Sequence, residues 1–235
     1  MNILISNDDG WNAAGIIALQ EVASDFGKCT VVGPAEEQSG VSHQMTLFGS
    51  MKLTQQSPQI WSLEGTPADC VRIGLTQLKQ SFDLVLSGIN NGANLGSDVY
   101  VSGTVAAARE AALFGLPSIA ISQHRLRYNE AFDWTHTKKL AAQSIQHCID
   151  SGLKNRELIN INLPDVSDSP TLPACQTVDP SPLDPAPRVA VFEVESGHDG
   201  TLFRSVGKYN DRARAAGHDV ESCFAKKITM TRMHY

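Results

Sequence analysis

The order of its apolar runs is what most constrains this chain. Ile3-Leu4-Ile5, Cys29-Thr30-Val31-Val32, Leu84-Val85-Leu86, Ile119-Ala120-Ile121 and Leu158 to Leu163 are short and rich in β-branched residues, as strands buried on both faces are. Between them the spacing becomes helical: Ile16, Leu19, Val22, Ala23 and Phe26 recur on one face of a helix over 15–26. Further helices are predicted over 67–79, 103–114 and 134–152, with strands over 1–7, 29–32, 83–87, 118–122 and 158–163. Parallel neighbours need a crossover connection, so this alternation predicts an α/β fold with a doubly wound, mostly parallel sheet.

The pattern breaks after Leu163. Most of the eleven prolines fall within 164–187, a density that excludes regular helix or central strand and predicts an extended surface connection. Residues 188–195 and 201–206 flank Ser196-Gly197-His198-Asp199-Gly200, which predicts a small C-terminal β-hairpin appendage. Ile228-Thr229-Met230-Thr231 reads as one last short strand. The expected division is therefore a main domain over 1–164 and, over 165–235, the connection, hairpin and closing strand. A chain of 235 residues is long enough for one sizeable core with such an appendage.

Several function classes are set aside by composition. No apolar run approaches the ~20 residues that span a bilayer. The N-terminus enters a strand at once, without the basic and small-residue segments of a secretory leader, so a cytoplasmic location and no membrane partner are expected. The net charge of -6 argues against a large nucleic-acid footprint but leaves a small nucleotide open. The five cysteines are scattered, with no C-x-x-C pair, and read as reduced thiols.

In open α/β sheets, ligands bind beyond the carboxyl ends of the strands, so the chemistry is sought there. The first strand ends Ser6-Asn7-Asp8-Asp9-Gly10, the second leads into Glu36-Glu37-Gln38-Ser39-Gly40, and the strand through Ser87 leads into Gly88-Ile89-Asn90. Adjacent carboxylates repel, and a cation is the simplest means of holding both ionised. With Ser39 and Asn90, Asp8 and Asp9 would form an all-oxygen set suited to Mg²⁺ or Mn²⁺. Taken alone, Asp-Asp-Gly could equally be a turn capping the next helix. Ser102-Gly103-Thr104 opens a predicted helix whose free N–H groups and hydroxyls would suit a phosphate, although capping explains Ser102 as well. Gly88, Gly92 and Gly96 would admit a ligand or mark a structural turn. No Walker A motif or strand-following G-x-G-x-x-G is present. Of the seven histidines, His43 is the one close in sequence to a proposed ligand, as a general-base candidate or a structural residue.

Together these segments resemble the SurE family of stationary-phase survival proteins, metal-dependent nucleoside monophosphate phosphatases. The likeness runs in order through Ile3 to Gly10, Ser39-Gly40 with Thr46-Leu47, Gly65 to Val71, Ser87 to Asn90 with Gly92, Asn94 and Gly96, Ser102 to Val105, and Asn160 to Pro164. It implies a Rossmann-like main domain and one divalent metal ion, Mg²⁺ or Mn²⁺, per subunit, held by Asp8, Asp9, Ser39 and Asn90. The helix start at Ser102, Gly103 and Thr104, together with Asn94, is the expected phosphate and substrate site beside that metal. The implied reaction is removal of phosphate from 5'- or 3'-nucleotides, or another small phosphomonoester, by metal-activated water, with Asp8 and Asp9 as the catalytic pair. A homodimer or homotetramer built by hairpin exchange is implied too. The chain departs from the family at Trp11-Asn12-Ala13-Ala14, where His and Pro are common, and at Gln38, where a basic residue is usual. A binding or regulatory module that keeps phosphate and nucleotide but has lost turnover is the alternative. A covalent aspartyl nucleophile of the haloacid-dehalogenase kind is disfavoured, because position 10, where a second Asp is needed, is Gly.

Overall fold

The computed structural model describes residues 1–127, 130–166, 179–186, 191–197 and 199–235. A nine-stranded sheet forms its centre, in the order β3-β4-β2-β1-β5-β6-β7-β11-β8. These strands are β1 (Asn2–Ser6), β2 (Lys28–Pro34), β3 (Leu53–Ser57), β4 (Ile60–Leu63), β5 (Leu84–Asn90), β6 (Ser118–Gln123), β7 (Glu157–Leu163), β8 (Asp179–Pro180) and β11 (Thr229–His234). The run β4-β2-β1-β5-β6-β7 is parallel throughout, β3 and β11 are antiparallel to their neighbours β4 and β7, and β8 runs parallel to β11. The expected doubly wound, mostly parallel sheet is what the chain forms.

The alternation of side chains along β1 shows how the layers are made. Ile3 and Ile5 point into a core with α1 (Ala14–Ala23) and α4 (Trp134–Asp150), where Ile16, Leu19, Leu140 and Ile145 meet them. Leu4 points the other way, into a second core with Cys70 and Val71 of α2 (Pro67–Gln77) and Ala107 and Ala111 of α3 (Gly103–Leu113). Strand β5 repeats the division, with Leu84 and Leu86 on the first face and Val85 on the second. A strand buried on both faces has no polar side to display, which is why these runs read as continuously apolar.

Two elements carry no strong sequence signal. The β3–β4 hairpin reads Leu-Thr-Gln-Gln-Ser and Ile-Trp-Ser-Leu, and β3, at the sheet edge, is largely solvated. The short helix α5 (Asp219–Phe224) precedes β11. The closing strand returns to the main sheet, pairing Met230 with Ile161 and Thr231 with Asn160. The hairpin β9 (Phe192–Gly197) and β10 (Gly200–Ser205) forms a separate two-stranded sheet with every described side chain exposed. His198 in its turn, 188–190 before it, and 167–178 and Pro187 of the proline-rich connection, Cys175 included, lie outside the described residues. The other four cysteines are free thiols.

Candidate active site

The site begins where β1 stops. Asn7 donates from its amide to the Gly10 carbonyl at 2.8 Å, closing the turn that carries Asp8 and Asp9. The start of α3 meets this turn from the far side. Thr104, fully buried, donates its hydroxyl to Asp8 Oδ1. Gly103 lies so close that a Cβ there would sit 2.7 Å from Asp8 Cβ, so no side chain fits. Ser102 caps the helix by accepting from the Val105 N–H at 3.1 Å.

Beyond β2, the Gln38 N–H donates to the Asp8 carbonyl at 2.7 Å, and Ser39 donates its hydroxyl to Glu37 Oε1 at 2.7 Å. From β5, the Asn90 amide donates to the Gly92 carbonyl at 2.7 Å, which leaves its oxygen as the acceptor end, and the Asn91 N–H reaches Asp9 Oδ2 at 3.3 Å. Asn94 is clamped. Its carbonyl accepts from Asn160 and Asn162 of β7, its N–H donates to Asn162 Oδ1, and its side-chain amide donates to Ser122 of β6.

Asp8, Asp9, Ser39, Asn90, Asn94 and Ser102 all line one cavity of about 430 Å³. Gly103 and Thr104 lie beneath Asp8 instead of on the cavity wall. Glu37, within a quoted strand-end segment but given no role, also lines the wall, and the residues that the motifs did not reveal include Asp98, Trp134 and Tyr209. Trp134 opens α4 and Tyr209 belongs to the C-terminal segment, so neither neighbours a motif in sequence. Tyr209 donates to Asp98 Oδ2 at 2.9 Å, and Arg212 pairs with the same carboxylate. The departures Ala13 and Ala14 also line the wall, whereas Trp11 packs its backbone on Gly33 and donates its N–H to the Pro34 carbonyl.

The electrostatics of this cavity are one-sided. Four carboxylates line it, those of Asp8, Asp9, Glu37 and Asp98, of which Asp98 is paired with Arg212 from behind, and no lysine, arginine or histidine stands among its described lining residues. Burial raises the Asp8 carboxyl above its ordinary value despite the hydrogen bond from Thr104. Burial, then the Asp8 charge, pushes Asp9 up to about 7. Two carboxyls so disfavoured as anions, beside neutral oxygens from Ser39 and Asn90, suit a hard divalent cation, which favours their ionised forms. Among the described residues no group of three or more His, Cys, Asp or Glu is clustered to hold a metal, so neutral oxygens would have to complete such a set.

His43 lies elsewhere. Its Nε2 is 2.8 Å from Glu110 Oε2, and it lines a second cavity with Met45, Arg72, Glu110, Leu113 and Phe114. It is not on the wall that carries the acidic pair.

Comparison with known proteins shows the family and the fold. The family described as survival protein SurE matches residues 3–178. The chain is 33% identical to the 5'-nucleotidase SurE of Clostridium beijerinckii (strain ATCC 51743 / NCIMB 8052), over 100% of this chain and 93% of that protein. It is 44% identical to the 5'-nucleotidase SurE of Acinetobacter baylyi (strain ATCC 33305 / BD413 / ADP1), over 71% of this chain and 67% of that one. The crystal structure of the SurE protein from Aquifex aeolicus superposes with a TM-score of 0.86 at 27% identity, covering 100% of this chain and 93% of the other. With most of its length matched in sequence and all of it in fold, the chain belongs to the SurE family.

Proposed function

We propose that this chain is a divalent-metal-dependent phosphomonoesterase that removes phosphate from nucleoside monophosphates, as a 5'- and/or 3'-nucleotidase. One observation supports this above the rest: besides Asp98, which Arg212 neutralises, the cavity carries the carboxylates of Asp8, Asp9 and Glu37 with no basic residue among its described walls. A phosphate monoester dianion would be repelled by those three carboxylates when they are ionised, and a bound cation would offset that repulsion. The relatives' names, 5'-nucleotidase, point to the substrate class.

Asp8, Asp9, Ser39 and Asn90 would hold the ion, Mg²⁺ or Mn²⁺, one per subunit. Such an ion supplies charge neutralisation at the phosphoryl oxygens and lowers the pKa of water. The protein supplies position. Thr104 and the Gly103 contact fix the Asp8 carboxylate, leaving its second oxygen to orient or deprotonate the attacking water. Ser102 offers its hydroxyl proton to the phosphate while its lone pair caps α3, and Asn94 is held rigid by three side chains at the same wall. Gly103 and Thr104 serve the phosphate through Asp8 in this reading.

The hairpin, with Phe192, Val194, Leu202 and Phe203 each at least half exposed, would dock on a second copy to give a homodimer or homotetramer. Among the described residues no helix is long and apolar enough to cross a membrane. The deciding test is phosphate release from a panel of nucleotides and an aryl phosphate with Mg²⁺ or Mn²⁺. Activity that survives Asp8→Asn or excess chelator rules the proposal out. Nucleotide binding without release across the panel favours the regulatory module.

A further inference from the structure

The segment between β2 and β3, residues 35–52, has no helix or strand, yet it carries Ser39. A loop without a ladder must be held by individual contacts if it is to present a hydroxyl reproducibly. Before Ser39 the hold is the Gln38 N–H on the Asp8 carbonyl. After it come Ser42, whose N–H and hydroxyl reach the carbonyls of Val101 and Tyr100, and Thr46, whose N–H and hydroxyl reach Asp69 on α2. Between these stands His43, 2.8 Å from Glu110.

Glu110 is an unusual anchor. It is 1% exposed, sits two turns along the helix whose first residues pack on Asp8, and also accepts from Arg72 Nε at 2.9 Å. Burial would raise its carboxyl, but the hydrogen bonds from His43 and Arg72 outweigh burial and hold it below the usual value. One helix therefore fixes Asp8 through Thr104 and the Ser39 loop through Glu110 and His43. Arg72 balances the buried charge by itself, so His43 is not needed for neutrality.

We propose that His43 is a positioning residue: its hydrogen bond to Glu110 registers the Ser39 loop against the Asp8–Asp9 turn and so sets affinity for the divalent ion. This rests on the reading of the acidic pair as the metal site. His43 touches neither the cavity nor the reacting atoms and transfers no proton.

The test uses the full chain, with Mn²⁺ as the probe, followed by calorimetry of Mn²⁺ binding, by thermal unfolding and by the Mn²⁺ dependence of phosphate release. Three proteins are compared: wild type, His43→Ala and His43→Gln. Glutamine places an amide donor at nearly the reach of Nε2 but carries no titratable proton. His43→Ala is expected to bind Mn²⁺ about tenfold more weakly, as loss of an outer hydrogen-bond partner does, with a small change in unfolding temperature. His43→Gln is expected to restore most of that affinity. Wild-type affinity in His43→Ala overturns the proposal, and so does a Gln variant as impaired as Ala, which would assign His43 to proton transfer or ring packing. A fall in unfolding temperature with unchanged Mn²⁺ affinity also overturns it, as a structural role only. Wild type that binds no Mn²⁺ instead refutes the metal site itself, and Asp8→Asn distinguishes the two failures.

Discussion

Helix α3 packs on one buried carboxylate and carries another, and their environments push the two in opposite directions. Asp8, at its N-terminus, is raised by burial although Thr104 donates to it. Glu110, two turns later and just as buried, is lowered because His43 and Arg72 outweigh burial. Both are nearly closed to solvent, but Asp8 is the more deeply enclosed and Glu110 alone has a cationic partner, so desolvation and countercharge both separate them. Glu110 has its cation within the chain, and it is structural. Asp8 and Asp9 have none among the described residues of their cavity, so a proton or, as proposed, a cation from solution would have to offset their charge.

This contrast can be broken most sharply at Asp8. Asp8→Asn is expected to lower phosphate release by more than about 100-fold, while the unfolding temperature stays equal or rises because repulsion with Asp9 is relieved. Steady-state assays with paired thermal scans check both halves. At the other carboxylate the sign reverses: Arg72→Met is expected to destabilise by about 2–4 kcal/mol, because it leaves Glu110 buried with His43 alone. Urea denaturation measures that loss, and a neutral result would show that Glu110 needs no internal cation.

A pH series sharpens the same distinction. With the folded value of Asp9 raised to about 7 against an ordinary 3.8, the native state binds the extra proton. Metal-free protein therefore loses stability from this group as pH climbs from about 4 to about 7, and the loss is absent in Asp9→Asn. Glu110 has the opposite sign, its contribution being lost as pH falls through the acid range. Added Mn²⁺ should cancel the first trend and leave the second. The smallest effect is expected for Ser102→Ala, about 1 kcal/mol from the lost helix cap, measured as a shift in the urea midpoint.

Most of the sheet was legible because parallel strands covered on both sides must be apolar throughout, as Ile3-Leu4-Ile5 and Leu84-Val85-Leu86 are. The β3–β4 hairpin was not, since an edge strand such as Leu53–Ser57 is mostly solvated and keeps polar residues. Asp8, Asp9, Ser39 and Asn90 could be named as candidates because strand ends and acidic pairs are local signals. Asp98, Trp134 and Tyr209 could not, for they reach the same wall from a 3₁₀ turn, a helix start and the C-terminal segment.

The sequence by itself determined the layered α/β plan, the apolar faces and an acidic pair at the end of the first strand, all of which follow from residue periodicity and short-range chemistry. Only the tertiary structure decided that Thr104 holds Asp8 while His43 faces Glu110, since which carboxylate a side chain meets depends on how helices lie on the sheet. That placement divides one set of buried acids into a balanced pair and an unbalanced one. The physical reason is that burial penalises any lone charge, so chemistry at this site depends on where the chain leaves its countercharges out.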